Sequence, residues 1–145
     1  MSSVKASGTE ARPRPISRIS SFHAHIYYDP AGTRREAELL RERVAERFLV
    51  RNGNWHDVPV GPHPSAMFQI SFAKELFPRI VPWLMLNRLG LTILVHPNTD
   101  RPRDDHLDHA LWMGKVLPLD ASRLPETDEP EPPLEPNTKP SAGME

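Results

Sequence analysis

The sequence contains no cysteine, which removes disulfides, thiolate nucleophiles, zinc–thiolate sites and iron–sulfur clusters from the chemistry open to it. An excess of charge of one sign is also missing. The 18 basic and 19 acidic side chains leave a formal net charge of −1, so the overall electrostatics give no reason to expect nucleic acid or an anionic membrane as partner. Long hydrophobic runs are absent too: the most apolar stretch, residues 80–95, is cut by Asn87, Arg88 and Gly90 and is too short to span a bilayer. The N-terminus lacks the apolar core of a signal peptide. The expectation is a soluble, cytoplasmic protein in which any metal must be held by histidine, carboxylate, tyrosine or water.

Proline is abundant, and it marks the ends. Residues 121–145 contain Pro125, Pro130, Pro132, Pro133, Pro136 and Pro140, interleaved with Glu126, Asp128, Glu129, Glu131, Glu135 and Glu145. Only Leu124, Leu134 and Met144 are large and apolar there. Such a segment buries too little apolar surface to offset its ordering entropy, so it reads as a disordered Pro/Glu-rich tail. Residues 1–15, with Pro13 and Pro15 beside Arg12 and Arg14, read as a disordered N-terminal tail. Residues 16–120 remain as one domain, long enough for a single core.

Within that domain the hydrophobic periodicity alternates between strand and helix. Residues 22–28 form an apolar, aromatic, β-prone run that ends in the turn Asp29-Pro30-Ala31-Gly32. Thr33 and Glu36 fit a capping box at the start of a helix. Ala37, Leu40, Val44 and Phe48 form its apolar stripe, and Asn52-Gly53 its stop. Arg34, Arg35, Arg41, Arg43 and Arg47 interleave with Glu36, Glu38, Glu42 and Glu46, the pattern of a solvated, salt-bridged helix face. A second strand is expected at 55–60, joined through Gly61-Pro62-His63-Pro64 to a third at 67–72. Residues 74–89 read as a buried helix kinked or divided at Pro82, residues 91–96 as a fourth strand, 100–108 as a polar loop, and 111–119 as an edge strand. The order strand, helix, strand, strand, helix, strand is that of an α+β, ferredoxin-like antiparallel sheet with two helices on one face plus an extra C-terminal edge strand. Its helix-free face is then available for a site or a partner.

Histidine carries the chemistry. In the first strand His23, His25 and Tyr27 share one face, and Phe22, Ala24, Ile26 and Tyr28 the other. A His-x-His pair on a strand is accounted for either by hydrogen-bonded packing or by metal ligation. His96 ends the fourth strand, and His63 sits in the proline-locked turn. Pro64 and Pro97 each follow a histidine and hold it extended. His106 and His109 lie in the loop beyond, while His56 reads as a surface bystander. Convergence of five or six imidazoles on one sheet face, without cysteine, points to a non-haem metal or acid/base site. Asp104 and Asp105 are candidates for a carboxylate ligand, the competing reading being solvated loop acids.

Taken together, Phe22-His23-Ala24-His25-Ile26-Tyr27-Tyr28, Gly61-Pro62-His63-Pro64, Met67-Phe68-Gln69-Ile70, Pro82-Trp83-Leu84, Asn87-Arg88, Leu94-Val95-His96-Pro97-Asn98-Thr99, Asp105-His106 and Ala110-Leu111-Trp112-Met113-Gly114 resemble the DOPA 4,5-dioxygenase family over residues 21–120. The resemblance implies a small, usually dimeric ferredoxin-like protein, similar to enzymes that open the ring of a catechol such as L-DOPA with O2 and a non-haem Fe(II). It makes His23, His25 and His96 the candidate metal ligands, His63 the acid/base and His106 a supporting or substitute ligand. Tyr27 either hydrogen-bonds bound oxygen or packs. Arg88 either pairs with a substrate carboxylate or bonds backbone carbonyls at a helix end. Two rival readings are a non-catalytic ligand-binding dimer and a metal-dependent hydrolase or isomerase. Imidazole ligands suit iron, zinc, nickel and copper alike.

Overall fold

The computed structural model describes residues 12–141; the outer parts of both expected tails, residues 1–11 and 142–145, lie outside them. The elements in chain order are β1 (Ser21–Tyr27), α1 (Arg34–Arg47), β2 (Arg51–Asn52), β3 (Met67–Phe72), α2 (Phe77–Asn87), β4 (Ile93–Asn98), α3 (Pro102–His106) and β5 (Leu111–Met113). The strands form one antiparallel sheet in the order β2-β3-β1-β4-β5. The protein is thus an α+β fold, with β1 in the middle of the sheet. Among the described residues no helix is long and apolar enough to cross a membrane.

Alternation along β1 divides the molecule into two layers. Ala24, Ile26 and Tyr28 join Phe68, Ile70 and Phe72 of β3 and Ile93 and Val95 of β4 in the main core. Ala37, Leu40 and Val44 of α1 and Ile80, Val81 and Leu84 of α2 close over them, so both helices cover one face. The stripe on α1 does what its spacing predicts. The opposite face carries a smaller cluster, Tyr27, Met67 and Leu94, covered by Ala110, Trp112, Leu117 and Leu119. The face expected to be free of cover is therefore roofed by the chain's own C-terminal third.

Several boundaries differ from the sequence expectation, each for a local reason. Residues 55–60 are not the second strand. Trp55 turns in against Phe68, Asp57 accepts from Tyr28 Oη, and His56 makes only an isolated bridge to Met67. The short β2 pairs with β3 at residues 51–52 instead. Thr33 does not form the capping box: its hydroxyl accepts from the Asp29 N–H at 2.8 Å and closes the preceding turn. Helix α1 stops at Arg47, well before Asn52, because Phe48 is already extended and buried. Residues 74–76 form a separate 3-10 turn, and α2 carries Pro82 without being divided. The supposed polar loop contains α3, with Pro102 in its first turn, where a missing N–H costs nothing. Finally, β5 ends at Met113. Gly114 has φ of +88°, and a Cβ there would meet Arg88 Nη1 and Thr92 Oγ1 at 3.0 and 3.1 Å, so the chain leaves the sheet at the one residue able to turn there.

Residues 121–141, read from composition as disordered, lie against the domain. Arg103 donates to the Leu124 carbonyl and to Glu126, and the Asp128 N–H bonds the Asp100 carbonyl. Farther on, the buried Thr138 hydroxyl accepts from the Val50 N–H and donates to the Phe48 carbonyl, while Asn137 exchanges hydrogen bonds with Asn52. Polar backbone pairing, which hydropathy does not record, holds this segment in place. Because Ile26 is fully buried at the centre of the main core, Ile26→Ala is expected to lower unfolding stability by about 2–5 kcal/mol in urea titration without changing the fold.

Candidate metal centre

The antiparallel register places the histidines. His23 of β1 lies directly opposite His96 of β4, while His25 lies opposite Leu94, so three imidazoles from two neighbouring strands share the face away from the helices. Two more come from outside the sheet. His63 arrives on the turn before β3, its ring centroid 4.2 Å from that of His25. His106 arrives from α3, with its ring 3.8 Å from that of His96. Asp105 positions α3: it is buried, and its carboxylate accepts from the Thr99 N–H and hydroxyl at 2.8 Å each. It clamps the helix to the end of β4 and is thereby taken out of the reckoning as a ligand, while Asp104 is exposed.

Hydrogen bonds fix several tautomers. His96 Nδ1 donates to the Pro97 carbonyl at 2.9 Å and His106 Nδ1 to the Pro102 carbonyl at 2.7 Å, so each ring presents its lone pair on Nε2. His63 Nδ1 and Tyr27 Oη are 2.6 Å apart. His23 Nε2 lies 3.0 Å from a Glu131 carboxylate oxygen and 3.4 Å from the Gln69 amide nitrogen.

His25 cannot be satisfied by protein groups alone. Its Nε2 faces His96 Nε2 at 3.0 Å, and among the described residues its buried Nδ1 has no partner. If the proton sits on Nε2, the lone pair of Nδ1 is orphaned. If it sits on Nδ1, an N–H is orphaned and two lone pairs confront each other. Either arrangement leaves a buried polar group unpaired, at a cost of about 1–3 kcal/mol. A cation that accepts both Nε2 lone pairs removes the confrontation. The donor set therefore fits a divalent metal. Two triads have ligand atoms within 4.8 Å of one another: His23, His25 and His96, and His25, His63 and His106. His25 is common to both.

Burial favours the neutral form of His25, His63, His96 and His106, the form in which an imidazole is a ligand. It holds His25 and His96 well below the ordinary imidazole range, reinforced by the neighbouring imidazoles. It also pushes His63 down to about 4 and lowers His106. Burial raises the Tyr27 phenol, which stays protonated and able to donate. Of the other candidates, Arg88 donates to the Leu91 carbonyl at 2.7 Å at the end of α2, the backbone-bonding alternative, and is not brought to the imidazoles. His56 and the exposed His109 belong to neither triad. Two residues of the site were not anticipated: Asp105 as the clamp of α3, and Glu131, hidden in a stretch whose composition reads as disordered. The regular spacing of β1 gave no signal for either.

An open cavity of about 630 Å³ adjoins the cluster at His106 and is walled by Trp112, Val116, Leu117 and Leu119. Its size is that of small-molecule sites. The Trp112 ring stacks on Tyr27 with centroids 6.0 Å apart, linking the cavity wall to the histidine strand.

The depressed imidazoles make stability depend on pH with a definite sign. Below the ordinary value of 6.5 the unfolded chain takes up protons that the folded chain refuses until the pH nears about 4 at His63. Stability is therefore full above 6.5 and lost as the pH falls through this window, at about 1.4 kcal/mol per pH unit for each such ring. Thermal unfolding of the metal-free protein should show a flat Tm above 6.5 and a steep fall below it. His63→Gln should make that fall shallower; an equal slope in the two proteins would contradict this account.

Comparison with known proteins gives the site its context. Residues 22–123 match the model of the Dopa 4,5-dioxygenase family. The chain is similar to an uncharacterised 21.2 kDa protein of Botryotinia fuckeliana, 40% identical over 114 residues, covering 70% of this chain and 62% of that protein. It is also similar to the DOPA 4,5-dioxygenase of Amanita muscaria, 33% identical over 122 residues, covering 78% of this chain and 54% of that enzyme. The chain thus spans little more than half the length of these curated relatives. A crystal structure of a candidate dioxygenase from Nostoc punctiforme superposes with a TM-score of 0.75 at 45% identity, over 77% of this chain and 96% of that one. With every one of the five clustered imidazoles inside the matched residues, the chain belongs to the Dopa 4,5-dioxygenase family.

Proposed function

We propose that this protein is a non-haem metal-dependent extradiol dioxygenase that opens the ring of a catechol, L-DOPA or a relative, with O2. The observation that carries the reading is His25, whose buried Nδ1 has no partner among the described residues and whose Nε2 meets His96 Nε2 at 3.0 Å, among three further buried or half-buried imidazoles. Family membership supplies the reaction class. The strand order β2-β3-β1-β4 with both long helices on one face supports a ferredoxin-like description of the domain, to which β5 is added.

In this reading His23, His25 and His96 hold Fe(II). Bound there, the metal would supply adjacent open positions for the two catechol oxygens and O2, the requirement of ring cleavage. The remaining work belongs to the chain. Tyr27, Met67 and Leu94, roofed by Ala110, Trp112, Leu117 and Leu119, exclude water on one side. The cavity beside His106 takes the aromatic ring against Trp112. His63 handles protons. When Tyr27 Oη donates to its Nδ1, Nε2 carries a proton to give; when Nδ1–H donates to the phenol oxygen, Nε2 is a base. As a base the ring takes a catechol proton on Nε2, becoming an imidazolium whose Nδ1–H stays bonded to Tyr27 Oη, and later returns that proton from Nε2. Fe(II) is assigned over other divalent metals through the reaction class, since imidazole accepts several.

The second triad, His25, His63 and His106, is a competing ligand set on the same geometry. Metal content discriminates the two. His25→Ala should abolish retention of about one ion per chain in either case, with the fold unchanged by circular dichroism. His23→Ala should abolish it only if the first triad binds, and His106→Ala only if the second does. For activity, metal-free protein reconstituted anaerobically with Fe(II) should consume O2 and form a yellow chromophore on addition of L-DOPA and air. With iron demonstrably bound, failure across several catechols would overturn the dioxygenase reading and leave a ligand-binding protein or a hydrolase. As for assembly, the homodimer suggested by the family would pair through a surface other than the histidine face, which residues 110–119 already roof.

A further inference from the structure

The C-terminal segment does more than line the domain. The Asp120 N–H bonds the Pro62 carbonyl beside His63, and Arg103 and Asp100 fasten residues 124–128 at α3. Asn137 and Thr138 fasten the far end to the edge of the sheet at residues 50–52. Between the two anchors Glu131 meets the histidine cluster, with Oε1 3.0 Å from His23 Nε2. The nearby Gln69 amide nitrogen is a donor already directed to Ser71 Oγ, so the carboxylate is the group placed to accept from this ring. Glu131 lies beyond residues 22–123, the part matched by the family model.

We propose that Glu131 is a positioning residue for His23: by accepting the Nε2–H it fixes the ring's tautomer and orientation and leaves its lone pair on Nδ1 for the metal. The inference rests on the preceding reading, in which His23 is a ligand. A carboxylate behind a metal-bound imidazole both orients the ring and raises its basicity. Stability alone gives little reason for the contact. The Glu131 side chain is 40% exposed, and ion pairs so placed add little to folding. Its effect is instead delivered at His23, which is the more buried partner, at 15%. A segment outside the matched domain thereby supplies a group that adjusts the metal affinity of this particular chain.

The test uses the full chain and Co(II) as a spectroscopic metal, its affinity measured by chelator competition and its coordination followed in the visible spectrum. Glu131→Gln should weaken Co(II) binding by about 10- to 100-fold and alter the visible bands. Glu131→Asp should recover part of the loss, and both metal-free variants should melt with the wild type. Wild-type affinity and spectrum in Glu131→Gln would overturn the proposal while the ligand reading stands. A wild-type protein that binds no Co(II) would overturn both readings together.

Discussion

The structure turns on the placement of uncharged imidazoles side by side where water cannot reach them. Two strands set the arrangement: pairing His23 with His96 across β1 and β4 brings the side chains of His25 and His96 together on the face opposite the helices. A protonated ring in such a cluster would lose its hydration and face several like-charged neighbours. Both effects favour the neutral form. Neutral rings, in turn, need donors and acceptors, and the backbone carbonyls of Pro97 and Pro102 supply acceptors for two of them. His25 is left over. The unmet bonding capacity of this one ring, beside neighbouring imidazoles, leaves the cluster able to hold a metal ion.

Everything around the cluster either holds a ring or excludes solvent. The main core, between α1, α2 and the sheet, is conventional in composition and keeps β1 rigid. The smaller cluster on the other face has little apolar area of its own and relies on residues 110–119 to cover it. The cover joins two requirements. It gives the site a dry wall of aromatic and aliphatic side chains, and it leaves an open cavity at His106 through which a planar aromatic molecule could approach. Asp105 links the two, because the same clamp on Thr99 that ends β4 also brings α3 and His106 into the site.

Family membership and geometry contribute different things. The match over residues 22–123 and the likeness to the Amanita muscaria and Nostoc punctiforme proteins speak to reaction class. They do not identify which nitrogen does what. That division comes from hydrogen bonds: Nδ1 of His96 and His106 committed to carbonyls, Nδ1 of His63 shared with a phenol, and Nε2 of His23 facing a carboxylate.

Local pattern was enough for the periodic parts of the chain. Alternation along residues 22–28 and 67–72 assigned the faces of β1 and β3, and the spacing of Ala37, Leu40 and Val44 assigned the buried face of α1. The same alternation placed His23 and His25 together, and the parity of residues 92–96 placed His96 with them, because in a strand the face of a side chain depends only on its position along the chain. What the sequence could not determine was anything set by distant partners. Thr33 could cap a helix or close a turn, and Asp29 decided it. Arg88 could meet a substrate or a carbonyl, and the fold gives its Nη1 the Leu91 carbonyl. Asp105 could ligate a metal or clamp a loop, and Thr99 decided it. Residues 121–141 contain too little apolar surface to announce that they are held. They are fastened by backbone and side-chain hydrogen bonds to residues up to ninety positions away, and such bonds exist only once the tertiary structure has brought the two ends together.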